Sequence, residues 1–243
     1  MAAFLILRFD APLMSFGGVR VDETNPTDGF PGQSMLTGLV GNALGICHGE
    51  FDVLSELQTS IVQGSRIDVP GQRLVDYQTV DLGQRFMKSG WTTWGKAESR
   101  EGGKSAREGT HQRWRHYWAD RVVTVALTVK SGASIGLDQL QGALRAPART
   151  LFIGRKPCLP ATPILQASIE AENVLSALQA VPLSTRCTQS TVMAQWPVHD
   201  GSGHGARITR VTDERDWSNQ IHVGRRKVYQ GELSIDAREG ETA

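Results

Sequence analysis

From Gly83 to Trp118 the chain loses the apolar periodicity that marks both of its flanks, and this break constrains the fold more than any other feature. Gly83, Gly90, Gly95, Gly102, Gly103 and Gly109 punctuate it. A stretch this long without a helical or strand period does not build a compact core, so it reads as an insertion between two core-forming halves. Its charge is lopsided too. Arg85, Lys88, Lys96, Arg100, Lys104, Arg107, Arg113 and Arg115 face only Glu98, Glu101 and Glu108, whereas the whole chain carries a formal net charge of +1. Trp91, Trp94, Trp114 and Trp118 also fall here. Cations interleaved with flat rings suit a phosphate backbone that carries unstacked bases: the cations release counterions, and the rings stack. A solvated basic loop whose tryptophans belong to a nearby core is the competing reading. Clustered charge is a footprint of nucleic-acid binding and not a proof of it.

The flanks pattern as a mixed α+β core. Ala3 to Phe9 reads as a buried strand, followed by a turn-rich stretch to Gly32. Ser34 to Leu44 is predicted helical, with Ser34 as N-cap and Gly45 as terminator. A second helix is predicted over Asp52 to Gln63, and strands over Ile61 to Val69 and Arg73 to Val80. After the insertion, Val123, Val125, Leu127 and Val129 alternate cleanly, as a strand requires. Helices are expected at Leu137 to Leu144 and Ala167 to Ala180, strands at Thr150 to Ile153 and Thr191 to Trp196. Arg207 to Ile235 reads as short strands and turns. This order fits an α+β sandwich of ferredoxin-like type better than an alternating parallel sheet.

Composition closes off several classes. The 243 residues suffice for one large domain or two small ones, and 40% hydrophobic content supports a core. No apolar run approaches the twenty or so residues of a membrane span, and MAAFLILRFD lacks the shape of a signal peptide. Cys47, Cys158 and Cys187 are scattered, as are the histidines. Neither a disulfide framework nor a metal site is expected, no cofactor is implied, and the cytoplasm is the default location.

Three short motifs carry chemistry. APLMSFGG, Ala11 to Gly18, is a tight turn with Arg20 close behind. FPGQSMLTGLVGNALG, Phe30 to Gly45, leads glycine, Gln33 and Ser34 into a helix N-terminus, whose free N–H groups suit an anion, although an ordinary capped helix has the same pattern. TLFIGRKPC, Thr150 to Cys158, runs into a glycine and the adjacent cations Arg155 and Lys156, where a backbone can approach a ligand closely.

In combination these motifs resemble the Cas-five family of CRISPR-associated repeat-associated (RAMP) proteins, in particular its type I-E Cascade branch. HQRWRHYWADRVVTVAL at His111 to Leu127, PARTLFIGRKPC at Pro147 to Cys158 and DERDWSNQIHVGRRKV near the end extend the likeness, in the family's order, to about Glu232. The resemblance implies a ferredoxin-like, RRM-like core over 1–80 and 119–198. It further implies a basic thumb insertion over 81–118 and a C-terminal strand and turn region over 199–243. It implies a non-catalytic subunit of an antiviral ribonucleoprotein that holds the five-prime handle of the CRISPR RNA. Its partners would be a backbone subunit, the large subunit and, through the complex, target DNA, with no membrane. Gln33 and Phe16 stand where the family commonly has lysine and tryptophan, so Gln33 brings a hydrogen bond but no charge.

On this reading Arg20, Gln33, Ser34, Arg155 and Lys156 surround handle phosphates or bases. Arg107, Arg113 and Arg115 draw RNA under the thumb, with Arg225 and Arg226 as further contacts. Trp91 and Trp94 stack on bases or anchor the thumb on another subunit. The alternative is a metal-independent endoribonuclease for precursor CRISPR RNA, which needs a general base, an acid and a cation. Tyr77, His111, His116, Tyr117, Lys104 and Lys156 are the candidates, but no spacing assembles them. His116 and Tyr117, adjacent in a strand-like run, point to opposite faces.

Overall fold

The computed structural model describes residues 1–19, 21–84, 89–91, 97–99, 109–203 and 205–235. Their centre is a seven-stranded sheet in which every neighbouring pair is antiparallel. Its order is β10 (Leu165–Ala171), β1 (Ala2–Asp10), β9 (Val122–Val129), β4 (Ile61–Val69), β11 (Thr191–Pro197), β15 (Arg226–Ser234) and β12 (Arg207–Val211).

The strand period of two divides β1 and β9 between two cores. Leu5, Leu7 and Phe9, with Val123, Val125 and Leu127, face one side. There they meet α1 (Gln33–Leu44), α2 (Phe51–Ser60) and α3 (Leu137–Arg145) through Leu36, Leu39, Leu57 and Leu140. Phe4, Ile6 and Ala126 face the other side and pack with Val192, Trp196 and α4 (Val174–Ala180). Burial on both faces explains why β1 reads as a continuous apolar run. Between the sheet and α4 lies a buried ion pair, Arg66 to Asp68 at 2.8 Å. Arg66 also donates to the carbonyls of Leu178, Val181 and Pro182, and Asp68 accepts from Thr124 and the Ser184 amide.

A second sheet stands on this core. β5 (Gln72–Asp81) and β8 (Thr110–Ala119) pair over ten residues, from Gln72 opposite Ala119 to Asp81 opposite Thr110. At about 3.3 Å per residue this ribbon is about 30 Å long. The other edge of β8 receives β2 (Leu13–Met14) and, in parallel, β3 (Thr24–Asn25). Separately, β6 (Ser89–Trp91) pairs β7 (Ala97–Ser99). A third pairing, β13 (Glu214–Asp216) with β14 (Ile221–Val223), lies against α1.

Four expectations require correction. Ala167 to Ala180 is not one helix: it is edge strand β10 followed by α4, because the first half completes the sheet beside β1. Residues 110–119 form one regular strand, whereas the sequence reading has a strand-like run only from His116 and leaves the residues before it in an aperiodic stretch. Their alternation is aromatic against cationic, not apolar against polar. Thr150 to Ile153 pairs with no strand among the described residues; Ile153 donates to Cys158 within a tight turn and accepts from Ser15. The helix predicted to Gln63 stops at Ser60, where β4 begins.

Candidate nucleic-acid interface

Directly opposed residues of an antiparallel pair share a face. The ribbon therefore sorts its side chains. One face carries Arg73, Val75 and Tyr77 with Trp118, His116 and Trp114. The other carries Leu74, Asp76, Gln78 and Val80 with Tyr117, Arg115, Arg113 and His111. On the first face, Tyr77 and Trp114 pack with ring centroids 5.1 Å apart. Trp118 anchors the base: Arg121 lies 3.3 Å and Arg73 5.4 Å from its ring, and its Nε1 donates to the Asp28 carbonyl at 2.7 Å. Burial, with Arg73 nearby, lowers the Arg121 pKa to about 10. On the second face Tyr117 is buried in the core, and Arg115 and Arg113 follow outward at steps of about 6.6 Å, two residues of an extended strand. Neither arginine forms an ion pair among the described residues.

The Gly-Arg-Lys turn meets this ribbon at its base. Gly154 has φ +88° and lies against the Ser15 carbonyl, and the Ser15 amide donates to Ile153. Arg155 then reaches across. Its guanidinium donates to the carbonyls of His116 (3.0 Å), Asn25 (3.0 Å) and Pro26 (3.2 Å) and stacks 4.8 Å from the Tyr117 ring. It braces β3 against β8, so most of its donors are committed. Lys156 beside it is exposed, with no ion pair among the described residues.

The α1 N-terminus does not offer the open anion site its motif suggested. Asp213, which is buried, occupies it: its carboxylate accepts from the Gln33 amide at 3.0 Å and its carbonyl from the Ser34 amide at 2.8 Å. The N-cap position is Gly32, not Ser34. The Gln33 side chain is buried and donates to the carbonyls of Gln58 and Ile61, both at 2.8 Å. Arg226 is held by Asp213 at 2.6 Å, while Arg225 is exposed. Ser34 and Arg155 share a cleft below α1. Arg20, Arg107, Trp94 and Lys104 lie outside the described residues, and for Trp91 only the backbone in β6 is described.

Of the nuclease candidates, Tyr77 and His116 share the first ribbon face, Lys104 lies outside the described residues, and the other ribbon candidates stand apart. Tyr117 is buried beneath Arg155, His116 occupies the opposite face, and His111 lies six residues away, about 20 Å along the strand.

Asp213, Arg215, Trp217 and His222 were missed as a group. Their segment, DERDWSNQIH, enters the sequence reading only as part of the family likeness, with no site role given to these four residues.

A chain from a solved CRISPR RNA-guided surveillance complex superposes with a TM-score of 0.71 at 24% identity, covering 96% of this chain and 91% of its own length. A crystal structure of a Cas protein gives 0.62 at 19% identity, with 96% and 94% covered. The fold is thus that of Cas proteins, a mixed α/β architecture of mostly antiparallel sheet. The family profile of CRISPR-associated proteins designated Cas_Cas5 matches residues 4–229. The CRISPR system Cascade subunit CasD of Escherichia coli strain K12 is 31% identical over 178 residues, 73% of this chain and 76% of its own length. The chain belongs to the Cas5 family of CRISPR-associated proteins.

Proposed function

We propose that this chain is a non-catalytic, RNA-binding assembly subunit of a Cascade-type surveillance complex. It holds the five-prime handle of the CRISPR RNA and caps the backbone filament beside the large subunit. The observation that carries the reading is the face of β8 on which Arg115 and Arg113, unpaired among the described residues, follow one another outward from the Arg155–Lys156 turn. Extended cations at strand spacing match the phosphate repeat of a stretched single strand, and counterion release supplies affinity without base readout.

In this reading β10-β1-β9-β4 is a ferredoxin-like sheet: its strands occur in the chain in the order β1, β4, β9, β10, with α1 and α2 after the first and α3 after the third. Residues 1–80 and 119–198 make that core, 81–118 the thumb, and 199–243 the C-terminal extension. Ser34, Lys156 and Arg225 remain direct RNA contacts, with Arg20 and Arg107 alongside them and Trp91 and Trp94 at the thumb. Gln33, Arg155 and Arg226 serve by holding the surface in shape. A separate subunit performs any cleavage, and the complex works in the cytoplasm.

Affinity purification of the tagged chain from its native host, with sequencing of bound RNA, tests this. Repeat-derived RNA sharing one five-prime end, together with further Cascade subunits, is expected. RNA of random sequence, or none, would refute it.

A further inference from the structure

A polar row crosses the large sheet where no motif points. The register sets Ser65 of β4 opposite Gln195 of β11, and Gln195 opposite Gln230 of β15. Directly opposed residues share a face, so these side chains stand on the α1 side, in line with the apolar Val125 of β9. Ser65 is 1% exposed, and its hydroxyl has no hydrogen-bond partner among the described residues. Gln195 is 6% exposed, and among the described residues no hydrogen bond engages its side-chain amide. Burying an amide without a partner is costly, so a cleft floored by one points to a ligand that satisfies it.

Gln195 and Gln230 line such a cleft, of about 370 Å³, together with Asp28, Phe30, Thr212 and Asp213. Arg210 also borders it, but in register it opposes Lys227, which puts its side chain on the other face of the sheet from Gln230. The two acids are not equivalent. Asp213 is neutralised by Arg226 at 2.6 Å. The Asp28 carboxylate has neither an ion pair nor a hydrogen bond among the described residues. Its backbone is fixed from both sides: the amide donates to the Gly17 carbonyl at 3.0 Å, and the carbonyl accepts from Trp118 Nε1 at 2.7 Å. Partial desolvation, and then the Asp213 charge, raise the Asp28 pKa, against a smaller opposing effect of Arg73. An arriving cation favours the charged form of such a group.

A guanidinium carries five donors, no acceptor and a flat face that stacks on aromatic rings. The cleft holds the complements: the Asp28 carboxylate, the side-chain carbonyls of Gln195 and Gln230, the Thr212 hydroxyl and the aromatic Phe30. Its uncompensated negative charge repels phosphate, which sets this cleft apart from the basic ribbon.

We infer that this cleft receives an arginine side chain of a neighbouring protein subunit, with Asp28 as counter-charge and the Gln195 and Gln230 side-chain carbonyls as acceptors. The inference rests on the assembly-subunit reading above and adds a docking point to it.

Two measurements on the full chain test it. In the first, side-chain amide resonances of the ¹⁵N-labelled chain are followed, with Gln195 assigned through Gln195→Met. The probes are Nα-acetyl-arginine methylamide and the citrulline compound of the same form, which has nearly the same shape and no charge. The arginine probe should shift the Gln195 signal at millimolar concentration, the citrulline probe should not, and Asp28→Asn should abolish the response. In the second, the chain is co-expressed with CRISPR RNA and the other Cascade subunits of its host. Asp28→Lys sets like charge against the incoming arginine and should lower the recovery of one protein subunit at least about tenfold, while the chain still binds handle RNA. Because the Asp28 carboxylate holds no contact within the described chain, the melting temperature should be unchanged.

Equal shifts with both probes, or a silent Gln195, overturn the inference. So does full recovery of every subunit with Asp28→Lys, and the assembly reading then stands. If the unaltered chain recovers no Cascade subunit, that reading falls and the inference with it.

Discussion

Gly154 sits so close to Ser15 that a Cβ on it would overlap the Ser15 carbonyl oxygen. The contact joins two motifs that are 139 positions apart in the chain. It sets the start of the Arg155 side chain, whose guanidinium then clamps β3 to β8. The glycine thus acts through backbone proximity, and the basic ribbon depends on it.

Gly154→Ala should therefore destabilise strongly. The positive φ and the overlap act together, and a loss of about 2–4 kcal/mol is expected in urea unfolding. The midpoint should fall with the slope unchanged. A change below about 0.5 kcal/mol would mean the loop opens at little cost.

Asp213 does two jobs, capping α1 and pairing with Arg226. Removing one partner of a buried ion pair costs about 3–5 kcal/mol, so Asp213→Ala should fall in that range. Asp213→Asn keeps an oxygen for the Gln33 amide and should recover about 1 kcal/mol of the loss. Equal losses in the two variants would show that the cap contributes nothing.

His222 provides a pH test. Burial, and then the Arg215 charge, lower its pKa below the ordinary 6.5, against a smaller opposing effect of Asp213. Above 6.5 the imidazole is neutral in both folded and unfolded chains. Below 6.5 the unfolded chain takes up its proton first, so stability should drop as pH falls from there through the lowered folded value. His222→Gln should flatten that part of the stability–pH curve. An NMR titration placing His222 at or above 6.5 would contradict the assignment.

Much of the core was legible because its periods are local. β1, β9 and β11 announce themselves by apolar strand pattern, α1 by its 3.6-residue repeat, and Gly45 by the left-handed turn it makes at φ +80°. β10 was misread because Leu165 to Ala171 is an edge strand with mostly exposed side chains, next to a true helix. β8 was hidden because neither ribbon face is uniformly apolar. The site was legible as composition but not as arrangement. Nothing near Gln33 indicates that a carboxylate 180 residues later fills its helix terminus. Nor does anything near Trp217 indicate that it lands on Gly38. Such contacts are tertiary, and local propensity does not carry them.

The central claim concerns Arg113 and Arg115, and salt-dependent affinity for handle RNA measures it most directly. Each arginine that neutralises one phosphate of a single strand contributes about 0.7 to the slope of log K against log salt. Replacing both by glutamine should lower the slope by about 1.4 and weaken binding at low salt, with the melting temperature unchanged. An unchanged slope and affinity in a folded double variant would contradict the account.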